Sequence, residues 1–492
     1  MSRFLLSFLF IISVFVSTQA QSAGYDIQIK VDGYEPDTVY LGYFYADKQY
    51  LKDTTARGED GYFRFQGEEK LDGGIYLVVM PPDNKFFQII IDENEQQFKV
   101  ETAMPDMAGN LKLTNAPDNK LLYDYLGFLS EKRPASEKLG QELKAAEGNE
   151  AEMERIRAEM KKLNEEVSAY QKKLIAKHPK SMTAAVVRAN MPLEEPEYEG
   201  ETEEDKQMNR WRWNTKHYFD NLDLGDSRLM RSPFLFNKVN DYTDKMVIQH
   251  PDTVSKAIDR VLTLMQPSEE NFKYYLIHFL NKYAASKIVG MDAVYVHLVE
   301  NYYEKGLAPW TEEEQLAKIV DNAKKLKPVL IGKTAPDIEM QKRDGTKLNL
   351  YSVDSPFTIL LVWDPECGHC KKSMPALKDF YANYKDKGVE VFAVCNKSWE
   401  RDDDGNVSLK EVEKCWEYID DNEIGTWINV VDPFHKSRYK SLYYIQSTPQ
   451  IFVLDKDKKI VSKRIDATQL PDVMDRLMEL EEKEMLEQEG KE

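Results

Sequence analysis

The chain has 492 residues, 42% of them hydrophobic and 31% charged, an ordinary globular balance that excludes wholesale disorder, a collagen-like repeat and a multi-span membrane protein. Its 85 acidic and 66 basic side chains leave a formal charge of −19, so phosphate backbones are repelled and nucleic acid is not an expected partner. Four cysteines are too few to staple a chain of this length, so its stability must rest on hydrophobic cores.

Residues 1–20 read as a secretory signal peptide. Arg3 supplies the positive end, Phe4 to Val16 the apolar stretch, and Ser17-Thr18-Gln19-Ala20 a small-residue cleavage site. The apolar stretch is shorter than the ~20 residues of a spanning helix. No later segment is long and apolar enough to span, so the expected location is the periplasm or cell envelope.

Residues 24–110 alternate apolar and polar positions. Tyr25, Ile27, Ile29 and Val31 begin the pattern, and Val39–Leu41, Tyr62–Phe65, Ile75–Met80, Phe86–Ile91 and Phe98–Val100 continue it. Short period-two runs separated by turn residues predict an all-β, sandwich-like domain. After Asn115-Ala116-Pro117-Asp118 the period becomes helical, and residues 115–328 are expected to form an all-α domain. Met153, Ile156, Met160, Leu163, Val167, Tyr170 and Leu174 make a narrow apolar seam ended by Pro179. It suits an intramolecular helical hairpin or a dimerising coiled coil through 153–174, the hairpin being the simpler reading. Glu194 to Asp205 reads as a solvated acidic loop.

From residue 331 strands alternate with helices, which predicts an α/β layered domain over 331–480, followed by a tail over 481–492. Within it, Cys367-Gly368-His369-Cys370 follows the buried strand Thr358–Trp363 and opens a helix. A helix start offers unpaired N–H groups and the positive end of the macrodipole, which favour a thiolate at Cys367. His369 is expected to add a donor beside that sulfur, and Cys370 to resolve a mixed disulfide. A zinc site would need a second close pair of ligands, and haem attachment would need His where Lys371 stands. A purely structural bridge would close almost no loop.

The segment 331–480 resembles the thioredoxin superfamily, and within it the TlpA/ResA-type envelope thiol–disulfide oxidoreductases. The resemblance rests on Gly332-Lys333-Thr334-Ala335-Pro336-Asp337, Trp363, Cys367-Gly368-His369-Cys370-Lys371-Lys372, Pro375 and Ser447-Thr448-Pro449. It implies a thioredoxin fold, a redox-active Cys367–Cys370 pair, a cis Pro449 beside it, and substrate contacts through Thr448 and Trp363. It also implies exchange with envelope protein thiols and an unidentified redox partner, with no cofactor required. Glu366 stands where thioredoxin has tryptophan and is expected to oppose thiolate formation. Leu361 replaces the buried aspartate of thioredoxin, and Ser373 the glutamate of ResA-like proteins. The Gly-His dipeptide matches protein disulfide isomerase, pointing to a potential nearer about −180 mV than −270 mV. A thiol peroxidase of the AhpC/TSA type and a non-enzymatic envelope binding protein are the alternatives. The first lacks the threonine such enzymes place three residues before the nucleophile, where Asp364 stands.

Two further features are read from the residues alone. Glu400, Asp402, Asp404, Ser408 and Glu411, with Gly405 at the sixth position, have the spacing of a calcium loop or of an acidic turn capped by Ser408. Cys395 and Cys415 are expected as buried free thiols, with a second disulfide as the alternative.

Overall fold

The structure, a computed structural model, describes residues 24–489, so the expected signal peptide and the last three residues of the expected tail lie outside the described residues. The chain divides into two compact units. The first ends at Tyr242 and includes Leu264–Asn271; the second comprises Thr243–Thr263 and the chain from Phe272 onward. The helical stretch 115–328 is thus shared between them.

The first unit opens with β1 (Tyr25–Asp32), β2 (Thr38–Tyr45), β3 (Lys48–Ala56), β4 (Phe63–Gly67), β5 (Gly74–Met80), β6 (Lys85–Ile91), β7 (Gln97–Ala103) and β8 (Lys112–Thr114). They form two four-stranded sheets, ordered β4-β1-β7-β8 and β3-β2-β5-β6. Ile27, Ile29, Phe63, Phe65, Phe98 and Val100 of one sheet share a core with Val39, Leu41, Val78, Phe87, Ile89 and Ile91 of the other. This is the predicted sandwich, with β3 and β8 added. β3 was not visible to the alternation rule because it is an edge strand whose residues are nearly all exposed, so no apolar face marks it.

Helices α1 (Pro117–Ala145), α2 (Glu150–Lys177), α3 (Met182–Ala189), α4 (Glu203–His217) and α5 (Leu235–Asp241) complete this unit. The acidic loop is shorter than expected, since Glu203–Asp205 already form the first turn of α4, capped reciprocally by Thr202 and Asp205. The seam of α2 is spent inside the chain. Tyr170 stacks on Phe128 of α1 with ring centroids 4.1 Å apart, and Gln171 donates to the Tyr125 hydroxyl at 2.8 Å. Ile156 and Leu174 are buried. The seam therefore contributes to an α1–α2 hairpin, the simpler of the two readings.

The second unit contains most of α6 (Pro251–Met265) and α7 (Glu269–Ala284), then α8 (Asp292–Leu298) and α9 (Glu313–Leu326). There follow β9 (Glu339–Gln341), β10 (Lys347–Asn349), β11 (Phe357–Trp363), α10 (Gly368–Tyr384), β12 (Val389–Cys395), the hairpin β13 (Glu400–Arg401) and β14 (Val407–Ser408), and α11 (Lys410–Asp421). The chain closes with β15 (Ile428–Val431), α12 (Tyr439–Leu442), β16 (Gln450–Leu454), β17 (Ile460–Lys463) and α13 (Leu470–Glu489). The expected tail is thus helical through Glu489.

The sheet order is β10-β9-β15-β12-β11-β16-β17. β11 runs parallel to β12 and antiparallel to β16, and all seven of its residues are buried. Alternate residues feed two cores. Ile359, Leu361 and Trp363 pack with α10, α11 and α13, while Leu360 and Val362 pack with Phe392, Phe452, Tyr439 and Tyr443 on the other face. This mixed sheet layered between helices has the arrangement expected of a thioredoxin fold, and the chain as a whole is multidomain.

In the structure the calcium-like spacing falls in a hairpin. Residues 400–408 close as a two-stranded hairpin, and Asp402 accepts the N–H groups of Asp404 and Asn406 at 3.1 and 2.8 Å. Glu411 pairs instead with Lys397 and Lys414 at 3.0 and 2.5 Å. Among the described residues no group of three or more His, Cys, Asp or Glu side chains is placed to hold a metal ion.

Candidate active site at the start of α10

β11 ends at Trp363, and a short turn delivers Cys367 to the N-cap of α10. Its sulfur occupies the place a serine or aspartate oxygen usually takes, accepting the Cys370 N–H at 3.4 Å. The Thr448 carbonyl lies 3.2 Å from the same sulfur. The Thr448–Pro449 peptide is cis, the geometry the resemblance implies. Cys367 is partly exposed and Cys370 buried, and both are free thiols.

The two sulfurs titrate in opposite directions. Burial is the largest single influence on Cys367 and raises its pKa. The Cys370 and His369 backbone N–H groups and the Thr448 side chain together outweigh it, and the thiol falls below its ordinary value. Cys370 is pushed up to about 12, chiefly by burial, although it receives the Asp364 N–H at 3.4 Å. The pair therefore has one thiol poised to ionise and one held protonated.

Glu366 is the expected opponent of the Cys367 thiolate, and here the structure corrects the sequence reading. Lys397 and Lys414 both pair with it, and their hydrogen bonds hold its carboxyl down at about 2. Lys397 is only 13% exposed and also faces Asp364 and Glu411, at 3.7 and 3.0 Å. The carboxylate is ionised at neutral pH, and the two ammonium groups that face it are shared with Asp364 and Glu411, so its charge is offset only in part. Neither lysine was identified from sequence, being 31 and 48 residues after Glu366. The available signal was that Lys397 closely follows the end of β12, and ligand sites in α/β sheets gather at strand carboxyl ends.

Three other expectations meet different fates. Trp363 is 1% exposed with its ring against Tyr418, so it supports the turn from beneath and is withdrawn from any substrate-facing surface. His369 is exposed, and what it brings to the sulfur is its backbone N–H. Cys395 and Cys415 are bonded to one another, S–S 2.02 Å, rather than free. The bridge fixes α11, which carries Lys414, to the carboxyl end of β12.

Beside the dithiol lies a groove of about 1030 Å³, lined by His369, Lys372 and Ser373 of α10, the segment 446–451 and the segment 464–469. Thr448 and Pro449 both line it, so the sulfur-facing carbonyl belongs to the groove wall.

Residues 331–463 match the AhpC/TSA family, and residues 149–327 and 25–122 match two domains of unknown function, DUF5106 and DUF4369. The thiol-disulfide oxidoreductase ResA of a Bacillus cereus strain is 27% identical over 135 residues, 27% of this chain and 69% of the relative. ResA of Bacillus anthracis is 29% identical over 136 residues, again 69% of the relative. Among solved structures, a domain of a possible thiol-disulfide isomerase from Cytophaga hutchinsonii is 35% identical, covering 32% of this chain and 98% of that one, with a TM-score of 0.28. A thioredoxin-like protein from Bacteroides caccae is 20% identical over 54% of this chain and 92% of its own, with a TM-score of 0.42.

Proposed function

We propose that the chain, whose residues 331–463 form a TlpA/ResA-like domain of the thioredoxin superfamily, is a thiol–disulfide oxidoreductase that exchanges disulfides with proteins of the cell envelope through Cys367 and Cys370. The observation that carries this reading is the asymmetry of the two sulfurs at one helix start, one accepting a backbone N–H and depressed, the other buried and raised.

In the reducing direction the Cys367 thiolate attacks one sulfur of a substrate disulfide. A Cys367–substrate bond forms, the substrate S–S bond breaks, and the second substrate sulfur leaves as a thiolate. Cys370 then gives up its proton, which ends on that departing thiolate, and attacks the Cys367 sulfur. The Cys367–Cys370 bond forms, and the first substrate sulfur leaves. Two electrons pass from the dithiol to the substrate; the reverse sequence oxidises a substrate dithiol. Because Leu361 and Ser373 offer no base, the leaving thiolate is the acceptor for the Cys370 proton. The reading that the Thr448 carbonyl accepts a strand-like hydrogen bond from an extended substrate is supported by its distance of 3.2 Å from the Cys367 sulfur.

Export is supported by the Arg3 and Phe4–Val16 pattern and by the Cys395–Cys415 bridge, since such bonds persist in oxidising compartments. Among the described residues no helix is long and apolar enough to cross a membrane. The AhpC/TSA match keeps one second reading, thiol peroxidase, in view. The decisive assay is insulin reduction followed by turbidity. Wild type is expected to be active, Cys367→Ala inactive, and Cys370→Ala to accumulate mixed disulfides. Insulin reduction by Cys367→Ala would contradict the mechanism, and peroxide consumption without insulin reduction would favour the peroxidase.

A further inference from the structure

The groove beside the dithiol is charged against the grain of the molecule. The chain carries −19, yet Lys372 and Arg464 line the groove, both exposed and neither in an ion pair among the described residues. Its carboxylate, Asp466, is already occupied by the N–H and hydroxyl of Thr468, at 2.9 and 2.7 Å. Lys397 and Lys414, by contrast, face carboxylates. The groove thus brings together two cations without an ion-pair partner among the described residues.

Two more observations concern the same groove. Arg464 and Tyr444 have φ of +55° and +48°, a left-handed conformation that non-glycine residues rarely adopt, and both line it. Gln450, 6% exposed, lies in the groove wall next to Pro449, and its side-chain nitrogen has no hydrogen-bond partner among the described residues. Unspent positive charge and an unspent donor both call for acceptor oxygens. At about 1030 Å³ the groove is at the top of the range for small-molecule sites, about 300–1,000 Å³, and has room for several residues of extended chain.

From these features we infer that the groove binds an acidic segment of the protein substrate, its carboxylates meeting Lys372 and Arg464 while its disulfide is presented to Cys367. The inference rests on the oxidoreductase reading, and it names which protein disulfides are preferred: those flanked by Asp or Glu.

The test separates binding from chemistry. Two fluorescent, cysteine-free decapeptides, one Asp-rich and one Lys-rich on the same neutral framework, are titrated into the full chain at low ionic strength and followed by anisotropy. The acidic peptide is expected to bind about tenfold more tightly, the combined effect of two exposed charge pairs. The preference is expected to shrink with added salt and to fall to about threefold or less in Lys372→Gln and in Arg464→Gln. Equal binding, a preference for the Lys-rich peptide, or a preference unchanged in both variants would overturn the inference. Reduction of a small uncharged disulfide by wild type is measured in parallel. Its failure would count against the oxidoreductase reading, while the peptide result would still decide the groove.

Discussion

Two sulfurs one helical turn apart are driven in opposite directions by purely local causes. Cys367 gains backbone N–H groups because it is the N-cap, and Cys370 loses solvent because the helix turns it inward. For Cys367, ionisation below the ordinary thiol pKa means that its reaction with iodoacetamide rises with pH with its midpoint at a lower pH than that of an ordinary thiol. Cys370 is expected to stay unreactive until the pH approaches 12, so the reduced protein takes up one equivalent of reagent at neutral pH. Two equivalents at pH 7 would contradict this. Lys397→Met removes a counter-charge shared by Glu366, Asp364 and Glu411, and should raise the Cys367 pKa. Thiolate absorbance at 240 nm measures it, and Glu366→Gln in the same chain should restore most of the loss. The dithiol was legible because motif and helix start are adjacent in sequence. Lys397 was not, because the charge it balances is 31 residues away and only the sheet brings them together. For Trp363, the same local reading identified an important residue but not the side of the turn it occupies.

At the scale of elements, the Cys395–Cys415 bridge shows where spacing stops being informative. A separation of 20 fits a bond or two free thiols equally well, and the crossover of α11 over the end of β12 decides the matter. Closing a loop of that size should contribute about 3 kcal/mol. The double variant Cys395→Ala/Cys415→Ala should lose that much in urea denaturation, and no change in midpoint would refute it. A second tie within the same unit is the ion pair of Lys463 on β17 with Asp292 on α8, the lysine 2% and the aspartate 13% exposed. Lys463 also donates to the Val329 carbonyl at 2.6 Å. Lys463→Met leaves a buried carboxylate without a partner and should cost about 3–5 kcal/mol, most of it recovered in Lys463→Met/Asp292→Leu. If the single and double variants are equally unstable, the pair is not the tie. The calcium-like spacing misled for a related reason. Oxygen donors in the right order also suit a hairpin turn, and β13 pairing with β14 spent Asp402 on backbone N–H groups.

For the whole molecule, the order of β, α and α/β regions was readable because the apolar period changes from two to 3.6 and then alternates. The division of the helical stretch between two units was not, since helical periodicity is the same on both sides of Tyr242. The net charge of −19 sets the background against which the groove cations act. The proposed export has a direct consequence: the protein recovered from the envelope should have a mass lacking residues 1–20, and recovery of the full-length mass from the cytoplasm would contradict it. The account depends most on a dithiol that cycles while its neighbour does not. The measurement is equilibration of the full chain in glutathione buffers of graded poise, with each disulfide quantified by mass spectrometry after acid quench. The account predicts a single two-electron transition for Cys367–Cys370, nearer about −180 mV than −270 mV, with Cys395–Cys415 oxidised throughout. A Cys367–Cys370 bond that stays closed across the whole series would reduce it to an inert clasp and contradict the account.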